Sequence, residues 1–185
     1  MPVLVSLLRG INVGGHNQLK MDTLRDLYQS LGFERVQSYV QSGNVLFWTK
    51  DKDVPAIASH IRQAIEKSAG FGPEIILRTR AEMETVVACN PFQGRDDISP
   101  SKLLVTFFAH KPSAEAIATV NEMNLPPEEF KMLGRELYVY FPEGAGRSKF
   151  PAVRIGKILN VPGTARNWNT VLKLVEMAKN SELAG

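Results

Sequence analysis

The sequence predicts an α+β protein made of two ferredoxin-like domains, each an α/β plait of order βαββαβ followed by an extra helix. Three observations lead to this prediction. Short apolar and β-branched runs alternate with stretches of helical periodicity, the same order of elements occurs twice, and a turn-rich segment separates the two occurrences. We therefore predict an N-terminal domain at residues 1–90, a linker at 91–101 and a C-terminal domain at 102–185.

The first half supplies one βαββαβ unit in order. Pro2 to Arg9 is a continuous apolar run, which is typical of a buried strand. Apolar residues at helical spacing follow and stop at Gly32. The runs R-V-Q-S-Y-V and N-V-L-F-W-T then flank Gln41-Ser42-Gly43, as the strands of a hairpin flank a turn. A second helix is predicted around Ile57 to Ile65, and a fourth strand at Glu74 to Thr79.

The second half repeats this order after a helix and a turn-rich segment. The helix runs from about Ala81 to Cys89, and the apolar run T-V-V-A-C predicts a packed thiol. The segment N-P-F-Q-G-R-D-D-I-S-P-S is dense in turn formers and charge, so it is the predicted linker. The later predicted elements are strands at Leu103 to Ala109, Phe130 to Leu133, Glu136 to Phe141 and near Gly163 to Arg166, and helices at Ser113 to Met123, Ser148 to Asn160 and Trp168 to Lys179.

The last helix carries one apolar face, formed by Trp168, Val171, Leu172, Val175 and Ala178. Trp168 opens this face, so we predict that its ring packs in the core and is not a stacking platform for a ligand.

Composition and targeting signals narrow the class of protein. No apolar run reaches the roughly 18 to 20 residues of a membrane span, and residues 1–11 lack the basic start and cleavage site of a signal peptide. We therefore expect a cytoplasmic protein with no membrane partner. The three histidines, His16, His60 and His110, lie far apart without ligand spacing, so we expect neither a metal site nor a cofactor.

Positive charge is concentrated in one part of the chain. The net charge is only +3, but no Asp or Glu occurs between Arg147 and Lys173. The cations of this stretch are Arg147, Lys149, Arg154, Lys157, Arg166 and Lys173. A solvated helix face usually alternates its signs, so a block of one sign favours an anionic partner.

Two glycine-rich loops should meet at one edge of the first domain, because the βαββαβ order brings the loop at Gly10 to Asn17 beside the turn at Gln41 to Asn44. One interpretation is ordinary turn chemistry, with glycines at positive φ and Asn side chains bonding nearby backbone. The other is an anion cradle that presents backbone N–H groups to a ligand. Its candidate ligand-binding residues are Arg9, Asn12, Gly14, Gly15, Ser42 and Asn44.

A second candidate site lies at the opposite edge of the second domain, where the loop G-A-G-R-S-K should approach T-A-R-N-W-N-T. Ser148 fits a helix N-cap, which places Pro151 in the first turn, where its missing N–H costs nothing. The candidate ligand-binding residues are Arg147, Ser148, Lys149, Arg166 and Asn167. Neither motif contains Asp or Glu, and His16 is the only obvious general base in the motif regions, so the pattern favours binding over catalysis.

Five motifs stand out in order along the chain: L-L-R-G-I-N-V-G-G, Y-V-Q-S-G-N-V, N-P-F, G-A-G-R-S-K and T-A-R-N-W-N-T. In this order and spacing they resemble a bacterial family known only as domain of unknown function 1697, and the resemblance spans Leu7 to Leu174. It implies two ferredoxin-like domains in a cytoplasmic protein, and it implies no activity and no catalytic residue. His16 stands where relatives often carry Lys and Phe150 where they often carry Leu, so a fixed positive charge at position 16 is not implied.

The sequence leaves three functional classes open. The first is a protein that binds a phosphate-bearing ligand, a nucleotide or a nucleic acid, through the basic and glycine-rich loops. The second is a small-molecule enzyme with His16 as a base and Lys149 or Arg166 holding the substrate's charge. The third is a protein-interaction module whose basic block meets an acidic partner. Ligand identity and oligomeric state do not follow from the sequence.

Overall fold

The computed structural model describes residues 2–183, which form a mixed α+β fold with two four-stranded antiparallel sheets and six α-helices. The strands are β1 (Val3–Leu8), β2 (Glu34–Tyr39), β3 (Asn44–Trp48), β4 (Ile75–Thr79), β5 (Leu103–Phe108), β6 (Glu129–Leu133), β7 (Glu136–Tyr140) and β8 (Gly163–Asn167). The helices are α1 (Met21–Ser30), α2 (Val54–Ala69), α3 (Arg80–Ala88), α4 (Ala114–Asn121), α5 (Ala152–Leu159) and α6 (Trp168–Leu183). None of these helices is both long and apolar enough to cross a membrane.

The chain divides into two compact units. The first contains the residues up to Glu84 together with those from Lys173 onward, and the second runs from Thr85 to Leu172. This division differs from the predicted one in three ways. Residues 85–90, predicted within the N-terminal domain, belong to the second unit. The predicted linker at 91–101 lies inside the second unit, and the last helix, predicted within the C-terminal domain, gives its residues from Lys173 onward to the first unit.

The first unit has the strand order β2-β3-β1-β4. Its helices α1 and α2 follow the predicted apolar periodicity, and both contribute buried residues to one core. Leu4 and Leu8 of β1 and Phe47 of β3 belong to that core, which also includes Tyr28 of α1. The hydroxyl of Tyr28 and Ser6 Oγ lie 2.7 Å apart and form a hydrogen bond, so these two buried hydroxyls are paired with each other.

The second unit has the strand order β6-β7-β5-β8, which matches the order of the first. Its helices α4 and α5 pack over Phe108, Leu137 and Val139. The segment predicted as a linker is folded onto this unit, because Tyr140 Oη donates to Asp97 O at 3.0 Å. Arg95 also forms ion pairs with Asp97 and Glu129.

The two sheets share one register around their central strands. Val5 lies opposite Leu46 and Arg78, and Val105 lies opposite Tyr138 and Arg166 in the same way. The edge strands differ. The β2–β3 pairing shifts register between Glu34 and Gln37, whereas the β6–β7 pairing is regular.

Three local predictions need correction. The helix predicted from Ser148 begins at Ala152, with Pro151 as the N-cap residue. Cys89 is exposed, because α3 ends at Ala88 and leaves the thiol just beyond the helix. Leu172 is 39% exposed, so it does not share the buried face of α6, whereas Trp168 is buried as predicted.

Candidate functional site

The glycine-rich loop after β1 meets the β2–β3 turn, as the topology predicts. The contact is made by Asn12, whose Nδ2 donates to Gln41 O at 2.8 Å and to Leu19 O at 2.9 Å. Its Oδ1 accepts from Leu19 N at 2.8 Å. The Asn12 amide therefore closes the base of the loop, and its hydrogen-bonding groups are occupied by protein backbone.

The turn itself is held from inside. Asn44 is fully buried, and its Nδ2 donates to Tyr39 O at 2.9 Å and to Ser42 Oγ at 3.0 Å. Gly43 has φ 78° and packs so closely that an added Cβ would lie 2.7 Å from Ile11 Cδ1. Ordinary turn chemistry thus accounts for Asn12, Ser42 and Asn44.

The outer part of the loop is solvent-exposed. Arg9, Gly14, Gly15 and His16 are exposed, and Gly14 and Gly15 adopt φ 56° and 79°. Arg9 forms no ion pair with any carboxylate that the structure describes. Of the residues predicted in this unit, Arg9, Gly14, Gly15 and Ser42 are exposed, whereas Asn12 is half-buried and Asn44 is buried.

In the second unit, cations cluster in the stretch from Gly144 to Lys157, which we call the basic segment. Arg147 ends a 3₁₀ turn after β7, and Lys149 follows it. Arg154 and Lys157 lie three residues apart on α5, so they share a helix face. All four side chains are exposed, and within residues 2–183 none of them forms an ion pair.

Ser148 does not cap the helix that follows it. Its Oγ accepts from Phe150 N at 2.9 Å and donates to the Glu128 carboxylate. The sequence motif is free of acid, but the fold brings this carboxylate to it from 20 residues away. Ser148 is thus a structural turn residue, and Glu128 is a neighbour that the local sequence did not reveal.

Phe150 anchors the basic segment to the core. Its ring meets Phe130 and Phe141 edge-on, with centroids 5.4 Å and 5.6 Å apart. The Phe150 ring packs against these two rings, whereas the side chain of the neighbouring Lys149 is exposed.

Arg166 lies on the other face of the sheet from α4 and α5. Leu104 and Phe108 contact the core that these helices cover, whereas Arg166 lies opposite Val105, whose side chain alternates to the other face.

The Arg166 side chain is 5% exposed, and its Nη1 donates to Thr164 Oγ1 at 2.7 Å and to Ala165 O at 2.8 Å. Burial lowers the pKa of the Arg166 guanidinium to about 10, so it still carries a proton at pH 7.

The first unit holds a matching arginine. Arg78 lies opposite Val5, the position equivalent to Val105, and is 1% exposed. Its Nη1 donates to Leu77 O at 3.0 Å, as Arg166 donates to its own preceding carbonyl. The match indicates that both arginines are buried structural residues at the same position of their sheets. The sequence predicted Arg166 in an exposed site, and its burial corrects that expectation.

Asn167 also has structural partners. Its Nδ2 donates to Ser101 O at 2.8 Å, and its Oδ1 accepts from Asn169 N at 3.0 Å, which is the bond an N-cap residue makes to the second helical residue. Ser101 lies just before β5, whose first residue pairs with Tyr140 at the end of β7. The loop after β7 and the exit of β8 therefore lie at the same end of this sheet, on either side of β5.

Comparison with family models matches residues 1–138 to the family described as "Protein of unknown function (DUF1697)". The chain belongs to this family. The resemblance predicted from the motifs is thereby confirmed, although the basic segment lies beyond the matched residues. No function is established for the family.

A solved structure resembles nearly the whole chain. It is described as the conserved bacterial protein SP0830 from Streptococcus pneumoniae, with 26% sequence identity and a TM-score of 0.71. The match covers 97% of this chain and 99% of that chain, so it includes the C-terminal motifs. No curated protein matches the sequence.

The chemistry available at the two loop clusters is that of cations, backbone amides and the His16 imidazole, together with the Glu128 carboxylate that Ser148 contacts. Within residues 2–183, no group of three His, Cys, Asp or Glu side chains is placed to hold a metal ion. Sequence reasoning left Arg154 and Lys157 out of the candidate site, although both belong to the basic block. Their helical spacing, which places them on one exposed face, was the signal that could have found them.

Proposed function

We propose that the basic segment binds a phosphate-bearing ligand, a nucleotide or a nucleic acid. The observation that carries this proposal is the exposure of four cations, Arg147, Lys149, Arg154 and Lys157, none of which is neutralised by an ion pair within residues 2–183. A cluster of exposed cations without ion-paired carboxylates creates a local positive potential that attracts anions.

Magnitudes indicate which groups dominate binding. Each charge-assisted hydrogen bond from an Arg or Lys to phosphate contributes about 1.5 to 3 kcal/mol. The N-terminal dipole of α5 adds only about 0.3 to 1 kcal/mol. Affinity therefore depends on the side chains, and Phe150 supports them by fixing the course of the chain between Lys149 and α5.

The glycine-rich loop of the first unit is proposed as a second, weaker element. Arg9, Gly14 and Gly15 supply its exposed groups, while Asn12, Ser42 and Asn44 hold its shape. Only one of these residues is charged, so this loop contributes less than the basic segment to the binding of a polyanion.

We infer further that both units are ferredoxin-like and that the protein resides in the cytoplasm. The first inference is supported by the order βαββαβ in each unit and by the sheet orders β2-β3-β1-β4 and β6-β7-β5-β8. The second is supported by the exposed, unpaired thiol of Cys89, which suits a reducing compartment.

The salt dependence of binding tests the proposed function and distinguishes its two forms. If four cations contact phosphates, log K against log[salt] falls with a slope near −2.8 for single strands or about −3.6 for duplex. Fluorescence anisotropy with labelled RNA, single-stranded DNA and duplex DNA measures this slope. Lys149→Ala should make it shallower by nearly one unit and weaken all sequences alike.

A nucleotide would behave differently, with weak salt dependence and a steep loss of affinity in Arg147→Ala. Absence of binding to all three polymers at low salt would eliminate the nucleic-acid form. Absence of thermal stabilisation by any of a panel of nucleotides would then eliminate the proposed function.

A further inference from the structure

A groove in the first unit lies between the edge strand β2 and the C-terminal part of α6. Its volume is about 450 Å³, which is within the range of small-molecule sites. The groove is lined by Arg35 and Gln37 of β2 and by Lys173, Glu176, Met177 and Asn180 of α6. None of these residues belongs to the glycine-rich loop or the basic segment.

Arg35 adopts a backbone conformation that arginine rarely takes. Its φ is 50°, in the left-handed region, and it lies where β2 shifts register against β3. The equivalent pairing of β6 with β7 has no such shift. Left-handed backbone is unfavourable for a non-glycine residue, and residues held in this way cluster at binding sites.

The guanidinium of Arg35 is held at the groove by two contacts. It lies over the Trp48 ring, with Cζ 4.6 Å from the ring centroid, and its Nη1 donates to Ser181 O at 3.4 Å. Both contacts leave other N–H donors of the fork available, because a guanidinium carries five. Stacking on an indole also preorganises the planar group for a planar partner.

The described charges of the groove sum to one positive charge. Lys173 Nζ bonds Glu176 Oε1 at 2.7 Å, so these two neutralise each other. Arg35 forms no ion pair with any carboxylate whose side chain the structure describes. A singly charged anion therefore matches the groove, whereas a doubly charged phosphate would be opposed by Glu176.

We propose that this groove binds a small monocarboxylate, with the Arg35 fork receiving the carboxylate. The fork matches a carboxylate in shape and forms two parallel bonds with it. The amides of Gln37 and Asn180 supply donors and acceptors for the polar part of the ligand, and Met177 supplies an apolar contact. The proposal does not rest on phosphate binding, which is proposed for the basic segment and the glycine-rich loop, and neither of these lines the groove.

Trp48 provides a readout at the site. Its Nε1 is buried and has no hydrogen-bond partner, and its ring lies under the Arg35 guanidinium. The chain has two tryptophans, and Trp168 belongs to the second unit. A ligand that engages Arg35 changes the charge above the Trp48 ring, so it should change the intrinsic fluorescence.

The test titrates the full chain with acetate, N-acetylglycine and N-acetylleucine at constant ionic strength, and follows tryptophan emission. We expect a saturable change with at least one of them and a dissociation constant at least tenfold higher in Arg35→Ala. Lys179→Ala is the matched control, since Lys179 lies on the same helix but does not line the groove, and its effect should be less than twofold. Arg35→Gly suits the local φ and tests the same loss of the fork in a backbone without strain.

Three results would overturn the proposal. The first is the absence of a saturable change with all three probes, and the second is equal affinity in the protein and in Arg35→Gly. The third is a change in tryptophan emission with inorganic phosphate that saturates at a lower dissociation constant than with the monocarboxylates and is lost in Arg35→Gly. Each of these results leaves phosphate binding by the basic segment untouched, because Arg147 and Lys149 are present in every variant.

Discussion

In the first unit the longest connection within the sheet motif follows the first strand, from Arg9 to Lys20, whereas in the second unit it follows the third strand, from Phe141 to Pro151. The corresponding connections are short, with residues 109–113 after β5 and residues 49–53 after β3. Each unit therefore extends its sheet at a different end. Arg9, Gly14, Gly15, Arg147 and Lys149 lie in these extensions, where binding residues concentrate in many folds, whereas Arg154 and Lys157 lie on the helix that follows.

The interiors of the two sheets differ much less. Arg78 and Arg166 occupy equivalent positions, are both buried, and both donate to the carbonyl of the preceding residue. The two sheets therefore share their register and a buried arginine at the equivalent position, whereas the charge and the glycine content of the loops differ between the units.

The largest expected effect on stability concerns these two buried arginines. Arg78→Ala and Arg166→Ala should each lower the free energy of unfolding by about 3 to 5 kcal/mol, because each removes a large buried side chain and its hydrogen bonds. Urea denaturation followed by circular dichroism measures the change. Arg78→Met and Arg166→Met are the controls. They keep most of the volume and remove the buried charge, so they should cost less than half as much.

A tolerated Arg166→Ala beside a damaging Arg78→Ala would contradict the equivalence of the two positions. In that case Arg166 would have a role that Arg78 lacks, such as contact with a ligand.

The second effect compares the cost of a glycine-to-alanine substitution in the hairpin turn of each unit. Gly43→Ala should cost about 2 to 4 kcal/mol, because φ is 78° and the new Cβ would lie 2.7 Å from Ile11 Cδ1. Gly134→Ala should cost only about 1 to 2 kcal/mol, because φ is 59° but its nearest neighbour, Glu136 Oε2, is 3.9 Å away. Thermal or urea unfolding of the two variants measures both. Equal losses of stability would mean that the close packing of Ile11 against Gly43 adds nothing to the cost of the substitution.

The third effect tests the closure of the glycine-rich loop. Asn12→Ala removes three hydrogen bonds, to Leu19 O, Gln41 O and Leu19 N, and should cost about 1 to 2 kcal/mol. Hydrogen exchange at the Leu19 amide should accelerate more than exchange in the strands. Unchanged protection at Leu19 would show that the loop is held by other contacts.

Much of the fold followed from the sequence because strands and helices leave periodic patterns. Apolar spacing placed α1, α2 and the buried Trp168, and the turn at Gln41 to Gly43 marked the hairpin. The prediction that a helix begins at Ser148 was wrong, because a Ser at this spacing fits two local structures. It can cap a helix, or it can close a turn as it does here with Phe150 N.

The candidate site was less predictable than the fold. The sequence of a five-residue strand such as β8 does not reveal whether Arg166 faces solvent, and the structure shows that it is buried. The partners of Asn12 and Ser148 are also distant in sequence, with Gln41 29 residues away and Glu128 20 residues away. The charge composition identified the basic segment. Only the fold shows which cations of the acid-free stretch are exposed without an ion pair, because Arg166 is buried and Lys173 pairs with Glu176.

The smallest expected effect on stability is that of the exposed cations. Arg147→Gln and Lys149→Gln should each change the free energy of unfolding by less than about 0.5 kcal/mol, because neither side chain is buried or forms an ion pair within residues 2–183. Chemical denaturation measures this. A larger loss would mean that these side chains support the fold and are not available to a ligand.

The most direct test of the central claim compares the two extensions by binding. Single-stranded DNA affinity at low salt is measured by anisotropy for the double variants Arg147→Gln/Lys149→Gln and Arg9→Gln/Lys20→Gln, which remove equal charge from the second and the first unit. The account predicts that the first variant loses at least tenfold in affinity, whereas the second loses less than threefold. Equal losses, or a greater loss for the Arg9 and Lys20 variant, would contradict the assignment of phosphate binding to the basic segment.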